Sequence, residues 1–157
     1  MKGYVGQEMR SLGLDVGDKR TGVAISGPHG LSAIPLIVIS KSEDATIDDI
    51  IELVGQHKIK RIVVGLPRLL NGGLGQQANR VKAFTEELSL RIEQSGIGQI
   101  DIELWDERFS TVAAERLMAE AGTRRKKRNQ HRDAIAASFI LQGFLDSGHS
   151  EQNKGAC

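Results

Sequence analysis

Apolar and polar positions alternate near the start of the chain. In residues 12–17, which read LGLDVG, leucine and valine occupy every second position, and glycine or aspartate occupies the others. A period of two is typical of a strand with one buried face. Two further strands are predicted over residues 21–26 and around 36–39, and the short connections between the three favour an antiparallel meander.

A helical period follows these strands. Thr46 is a candidate N-cap, and the isoleucines and valine from Ile47 to Val54 recur at the spacing of one buried helix face. The same kind of pattern predicts helices over residues 76–94, 111–121 and 132–146, and short apolar runs predict strands over residues 59–64 and 100–104.

The order of these elements predicts the fold class. Strands that alternate with helices form parallel pairs. We therefore expect an α/β fold with a mixed five-stranded sheet, in which parallel strands extend the antiparallel meander and helices pack on the faces. The expected organisation is a single domain over residues 11–146, with flexible tails over residues 1–10 and 147–157.

The composition is that of an ordinary globular protein. The 157 residues are 39% hydrophobic and 26% charged, and they include one cysteine, Cys157. No segment has the apolar core of a secretory signal or the run of ~20 apolar residues needed to span a bilayer. These features predict a cytoplasmic protein with no membrane partner.

Cations are unevenly distributed along the chain, although the formal net charge is only +1. Residues 123–132 read TRRKKRNQHR, with six lysines or arginines and no acid. Such a run is either a solvated segment or a surface that binds nucleic-acid phosphates. The run by itself leaves both interpretations open.

Three acidic positions are candidate metal ligands. Asp15 lies inside an apolar strand, where aspartate is disfavoured, and its neighbours on the same face are glycines. Asp106 and Glu107 follow the strand over residues 100–104, at the edge of an open α/β sheet where ligands bind. Asp133 begins the last predicted helix. Carboxylates that meet at strand ends suit a site in which two divalent ions promote phosphodiester hydrolysis.

Other chemistries suit the sequence less well. It contains no GxxxxGK[ST] motif and no GxGxxG motif after a strand, so neither a P-loop nor a dinucleotide site is supported. The four histidines lack the spacing of zinc ligands, and no GxSxG nucleophile elbow is present.

Four stretches of the chain resemble the YqgF family. They are LGLDVGDKRTGVAIS, IVVGLPR followed by NGG and a helix with QANRVKAF, WDERFST, and RDAIAASFILQGFL. The resemblance extends over about residues 11–146. The family is also called RuvX, and its members are described as pre-16S rRNA nucleases or, earlier, as Holliday junction resolvases. The resemblance implies an RNase H-like fold, in agreement with the predicted order of elements.

The same resemblance implies roles for individual residues. It assigns the metal-binding catalytic acids to Asp15, Glu107 and Asp133, leaves Asp106 as an alternative ligand, and implies Mg²⁺ or Mn²⁺ as the cofactor. The candidate nucleic-acid-binding residues are the cations near these acids together with the basic run: Lys19, Arg20, Arg68, Arg108, Arg124, Arg125, Lys126, Lys127, Arg128 and Arg132.

Four functions remain open at this point. A metal-dependent nuclease that processes the 5′ end of pre-16S rRNA is favoured by the resemblance, with precursor rRNA and ribosomal particles as partners and a monomer or weak homodimer as the acting form. A nuclease that cuts branched DNA would use the same acids. A non-catalytic RNA-binding assembly factor would use only the basic run. An ATPase of the actin type would explain Asp15, but such proteins need two domains of this kind.

Overall fold

Strand β1 (Ser11–Val16) is central in a mixed sheet. We describe a computed structural model, which covers residues 9–67, 75–106 and 125–155, the last range with side chains only over residues 132–147. The other described strands are β2 (Thr21–Ser26), β3 (Ala33–Ile39), β4 (Arg61–Leu66) and β5 (Asp101–Asp106), and the described helices are α1 (Glu43–His57), α2 (Gln76–Ser95) and α3 (Arg125–Gly155).

The sheet has five strands in the order β3-β2-β1-β4-β5. Strand β2 is antiparallel to both β1 and β3, whereas β1 pairs parallel with β4 and β4 pairs parallel with β5. The mixed sheet predicted from the sequence, with a meander extended by parallel strands, is therefore confirmed.

The two faces of the sheet are covered by different helices. Leu12, Leu14 and Val16 of β1 join a buried cluster with residues of α1 and α2, such as Ile47 and Leu88. The opposite face is covered by α3. There Ala24 and Val63 pack against three residues of that helix, Ala137, Ile140 and Leu141. Because side chains alternate along a strand, Gly13 and Asp15 of β1 lie on the α3 side.

Helix α1 begins four residues earlier than the sequence predicted. Its N-cap is Ser42, whose hydroxyl accepts a hydrogen bond from the backbone N–H of Ala45 (3.3 Å). Thr46, the predicted cap, is instead buried inside the helix, and its hydroxyl is 3.4 Å from the carbonyl oxygen of Lys41. The Lys41 amine donates to Asp49 (2.8 Å), and this hydrogen bond raises the pKa of Lys41.

Helix α3 is longer than predicted at both ends. The prediction of residues 132–146 is wrong in its bounds, because the helix begins at Arg125 and continues to Gly155. Most of the basic run therefore forms the first turns of α3, and Asp133 lies well inside the helix instead of at its start. The segment after Asp146, predicted as a tail, continues as helix.

Two strands are also displaced relative to the sequence prediction. Strand β4 covers Arg61–Leu66 instead of residues 59–64, and β5 covers Asp101–Asp106 instead of 100–104. Leu104, one of the apolar residues of the predicted strand, is 40% exposed. The predicted helix over residues 111–121 lies outside the described residues.

No helix in the part of the chain that the structure describes is both long and apolar enough to cross a membrane.

Candidate metal and nucleic-acid site

Asp15 lies on the α3 face of the central strand. Its neighbour on that face, Gly13, packs directly under α3, since a Cβ built on Gly13 would lie 2.7 Å from Cβ of Leu141. Asp15 itself is partly exposed. The central strand thus presents one carboxylate at the end of the sheet where β1 leads into its turn.

Gly22 allows the backbone of Asp133 to approach the strand position opposite Asp15. Asp15 and Gly22 are opposite each other in the antiparallel pair of β1 and β2. A Cβ built on Gly22 would lie 1.9 Å from the carbonyl oxygen of Asp133 and 2.7 Å from the backbone nitrogen of Ala134. Helix α3 therefore crosses β2 in backbone contact at Gly22, which seats Asp133 next to the residue opposite Asp15.

Arg20 pairs with Asp133 across the same crossing. Nε of Arg20 lies 3.2 Å from Oδ2 of Asp133, and the two side chains are 49% and 23% exposed. Arg20 closes the turn between β1 and β2, since its carbonyl oxygen accepts a hydrogen bond from the backbone N–H of Gly17 (2.8 Å). The turn places a cation within ion-pair distance of an acidic side chain of the candidate site.

A shallow cavity of about 400 Å³ opens beside this turn. Its described lining consists of the turn residues, the start of α2 and the acid on α3: Gly17, Asp18, Lys19, Arg20, Gln77 and Asp133. The structure thus brings Lys19 and Arg20 of the turn together with Asp133 of α3.

Two polar residues that line this cavity, Asp18 and Gln77, and the nearby Gly22 were not among the predicted site residues. Gln77 donates from Nε2 to the carbonyl oxygen of Val16 (2.9 Å), which ties α2 to the end of β1. Asp18 forms an ion pair with Arg80 of α2. These are contacts between distant segments and have no local pattern. Gly22 did carry a signal, because a glycine inside a strand marks a close backbone approach.

Asp106 lies on the opposite face of the sheet from Asp15. Trp105 packs edge-to-face on Phe144 of α3, with ring centroids 5.9 Å apart, whereas Ile102 packs against the cluster under α1 and α2. Asp106 is four residues after Ile102 on β5, an even spacing, and it pairs with Leu66 at the end of β4. By strand alternation its side chain belongs to the α1 and α2 side.

Several predicted site residues lie outside the described part of the chain. These are Arg68, Glu107, Arg108 and Arg124. Arg125, Lys126, Lys127 and Arg128 are described only as helix backbone at the start of α3, and Arg132 is exposed one residue before Asp133.

The described donor set suits a hard divalent cation only in part. Asp15 and Asp133 supply carboxylate oxygens, which Mg²⁺ and Mn²⁺ prefer. Among the residues that the structure describes, no group of three or more His, Cys, Asp or Glu side chains is placed to hold a metal. A complete site therefore needs a further oxygen ligand from residues beyond those described, from water or from substrate.

Relatives of the chain share most of its length. The family model of RuvX, described as a Holliday junction resolvase, matches residues 9–147. A protein of Pelotomaculum thermopropionicum named "Putative pre-16S rRNA nuclease" is 45% identical over 141 residues, which cover 88% of this chain and 88% of that protein. A protein of Bacillus thuringiensis with the same name is 47% identical over 142 residues, covering 88% and 99%.

A solved structure shares the fold at low sequence identity. RuvC of Thermus thermophilus in complex with a Holliday junction substrate superposes with a TM-score of 0.59 and 13% identity, over 91% of this chain and 97% of that one. This likeness supports the RNase H-like architecture predicted from the sequence. The family match over residues 9–147 and the relatives at 45% and 47% identity show that the chain belongs to the RuvX family of nucleases, also called the YqgF family.

Proposed function

We propose that this chain is a metal-dependent nuclease that processes the 5′ end of pre-16S rRNA. The observation that carries the proposal is the crossing at Gly22, which seats Asp133 beside the strand position opposite Asp15. The names of the relatives from Pelotomaculum and Bacillus support precursor rRNA as the substrate. The partners in this proposal are precursor rRNA and the ribosomal particle that carries it, and the location is the cytoplasm.

In this proposal Asp15 and Asp133 hold Mg²⁺ or Mn²⁺. Asp15 is on a buried central strand and Asp133 is inside a helix, so both carboxylates are attached to rigid elements, as a precise site requires. A bound divalent ion would neutralise charge on the phosphodiester and lower the pKa of an attacking water.

We propose that the third metal-binding acid is Glu107 and not Asp106. Strand alternation directs Asp106 to the α1 and α2 side, on the evidence of Ile102 and Trp105. Glu107 lies outside the described residues, and the resemblance to the YqgF family gives it the catalytic role. A Glu107→Gln variant is therefore expected to lose cleavage, whereas Asp106→Asn is expected to retain more of it.

The cations around the acids have a binding role in this proposal. Lys19 and Arg20 line the cavity next to Asp133 and are positioned to contact a phosphate of the substrate. Arg132 and the basic segment, defined as Arg124 to Arg128, would extend the contact along the backbone of the nucleic acid, together with Arg68 and Arg108. Such contacts give affinity without sequence preference.

A comparison of substrates tests the proposed activity. Purified protein is incubated with precursor 16S rRNA, a linear single-stranded RNA and a four-way DNA junction, each with Mg²⁺, with Mn²⁺ and with EDTA. We expect cleavage of the precursor at its 5′ end with either metal and none in EDTA.

Two other outcomes would overturn the assignment. Faster cleavage of the four-way junction than of the precursor would favour the DNA resolvase that the family description names. Binding of RNA without cleavage under any metal condition would favour a non-catalytic assembly factor.

A further inference from the structure

Arg20 forms an ion pair with Asp133, an acid that the proposed metal site needs. Its Nε lies 3.2 Å from Oδ2 of Asp133, and the same side chain lines two cavities. One is the cavity beside the turn, and the other is a more apolar cavity of about 500 Å³ next to β3, lined in part by Pro35, Val38 and Ala134. Arg20 thus belongs to the described lining of both cavities.

The exposure of the pair makes it replaceable. The Arg20 side chain is 49% exposed and that of Asp133 is 23% exposed, and ion pairs in such surroundings contribute little to stability because water screens them. A divalent ion carries twice the charge of a guanidinium and is attracted to the same carboxylate more strongly at equal distance. A metal ion can therefore displace Arg20 from Asp133 at small cost.

The neighbouring cations differ from Arg20 in this respect. Arg80 is paired with Asp18 of the turn and not with an acid of the proposed site. Lys19 lines the same cavity, and among the ion pairs between described residues none involves Lys19. Of the cations that the structure describes in this cavity, Arg20 is the one in contact with Asp133.

We infer that Arg20 and the divalent ion compete for Asp133, and that metal binding frees Arg20 to bind a phosphate of the nucleic acid. This inference rests on the proposed function, since it takes Asp133 as a metal ligand. Without metal, Arg20 neutralises Asp133 and is itself occupied. With metal bound, the guanidinium is released into the cavity beside the turn, where a substrate phosphate flanking the cleaved bond would lie. Metal and nucleic acid therefore bind cooperatively, by the reciprocity that governs any two coupled ligands.

The first test measures Mn²⁺ binding to the full chain without nucleic acid, by titration followed with electron paramagnetic resonance. Arg20→Gln removes the competing cation and is expected to bind Mn²⁺ more tightly than wild type. Lys19→Gln removes the same charge from the same turn without breaking a pair with Asp133, so it reports the general electrostatic effect. We expect Arg20→Gln to bind about threefold more tightly than Lys19→Gln, the size typical of losing an exposed ion pair. Arg20→Lys, which keeps the charge, is expected to stay near wild type.

The outcomes separate this inference from the proposed function. Equal Mn²⁺ affinities of Arg20→Gln and Lys19→Gln, with binding lost in Asp133→Asn, would overturn the competition and leave the metal site standing. Unchanged Mn²⁺ affinity in Asp133→Asn, or no binding by wild type, would overturn both. Thermal unfolding of each variant checks that the fold is intact.

The second test measures the coupling between metal and RNA. The affinity for a short single-stranded RNA is determined with Ca²⁺, which serves to occupy the site without rapid cleavage, and again in EDTA. In wild type the ratio of the two affinities is expected to exceed that in Arg20→Gln by about threefold, because only wild type gains a free guanidinium on metal binding. Lys19→Gln is expected to lower both affinities by a similar factor and to keep the wild-type ratio. A wild-type ratio in Arg20→Gln would overturn the inference.

Discussion

At Gly22 the absence of a side chain determines where α3 lies. A Cβ there would be 1.9 Å from the carbonyl oxygen of Asp133, which is far inside van der Waals contact. The neighbouring atoms are backbone, so no flexible side chain can move aside, and the helix itself would have to shift. The position of Asp133 relative to Asp15 therefore depends on a residue that carries no chemistry of its own.

Gly22→Ala tests this dependence. We expect a loss of stability of about 1–3 kcal/mol, the range for overpacking in a well-packed interior, together with loss of metal-dependent cleavage, because α3 is pushed away from β2. Thermal unfolding and the cleavage assay measure the two effects.

Gly55→Ala is the matched control for this substitution. Gly55 lies within α1, where a Cβ would meet only the tip of the Ile97 side chain at 3.5 Å. There alanine is expected to stabilise the helix by roughly 0.5–1 kcal/mol and to leave cleavage unchanged. Equal melting temperatures and activities of the two variants would show that the contact at Gly22 does not hold the site together.

At the scale of elements, α3 carries both the proposed metal ligand Asp133 and most of the basic segment. Its first turn, Arg125 onward, is cationic and contains no acid. Cations at a helix N-terminus oppose the helix dipole, so these residues weaken the helix they begin. These residues lower the stability of the free protein and carry several adjacent positive charges. Both properties are expected of a surface whose charge is neutralised by bound phosphates.

Neutralising the basic segment tests that interpretation. Replacing Arg124, Arg125, Lys126, Lys127 and Arg128 with glutamine is expected to weaken RNA binding and to flatten its dependence on salt. The slope of log affinity against log salt should fall by about 0.7 for each phosphate of a single strand that the variant no longer neutralises, while the melting temperature of the free protein stays level or rises slightly. Binding isotherms between low and moderate salt measure the slope. If the slope is unchanged, the segment is a solvated face of the helix.

Strands were more predictable than helix ends. The alternation in residues 12–17 and the short apolar runs identified all five strands of the described sheet, because period-two burial is imposed by the strand itself. The displaced bounds of β4 and β5 arise because pairing continues through Leu66 and Asp106, whereas the apolar residues used for the prediction stop earlier.

The first residues of α1 and α3 could not be predicted from the local sequence pattern. Thr46 looks like a cap, but Ser42 caps α1 and Thr46 is buried, since a threonine suits both roles. The start of α3 was missed because a run of arginine and lysine has no apolar period, although these residues are good helix formers. The ion pair between Arg20 and Asp133 and the crossing at Gly22 both join segments that are far apart in the chain. The sequence around one partner therefore does not identify the other.

At the scale of the whole molecule, the fold brings together acids that are far apart in the chain. Asp15 comes from the first described strand and Asp133 from the last described helix, so their proximity requires the complete sheet with α3 packed on it. A ligand that binds both carboxylates therefore stabilises the native state as a whole.

Metal-dependent stability tests this link. At ten times its Kd, a divalent ion that binds only the native state adds about 1.4 kcal/mol to the free energy of unfolding, and EDTA removes that gain. We expect Mn²⁺ to raise the melting temperature of wild type and to have no effect on Asp15→Asn or Asp133→Asn. A rise of the same size in all three proteins would place the metal at a different site.

We propose that Asp15 is a metal-binding acid of a nuclease site. Single-turnover cleavage of precursor rRNA by Asp15→Asn is the direct test of this role. Asp101→Asn serves as the control, because Asp101 is an exposed aspartate at the start of β5, at the end of that strand away from Asp106. With Mg²⁺ present, we expect Asp15→Asn to cleave at least about 100-fold more slowly than wild type, a larger loss than that of a residue which only supports a metal ligand. Asp101→Asn should keep both the cleavage rate and the RNA affinity of wild type. Cleavage by Asp15→Asn at the wild-type rate would contradict the account.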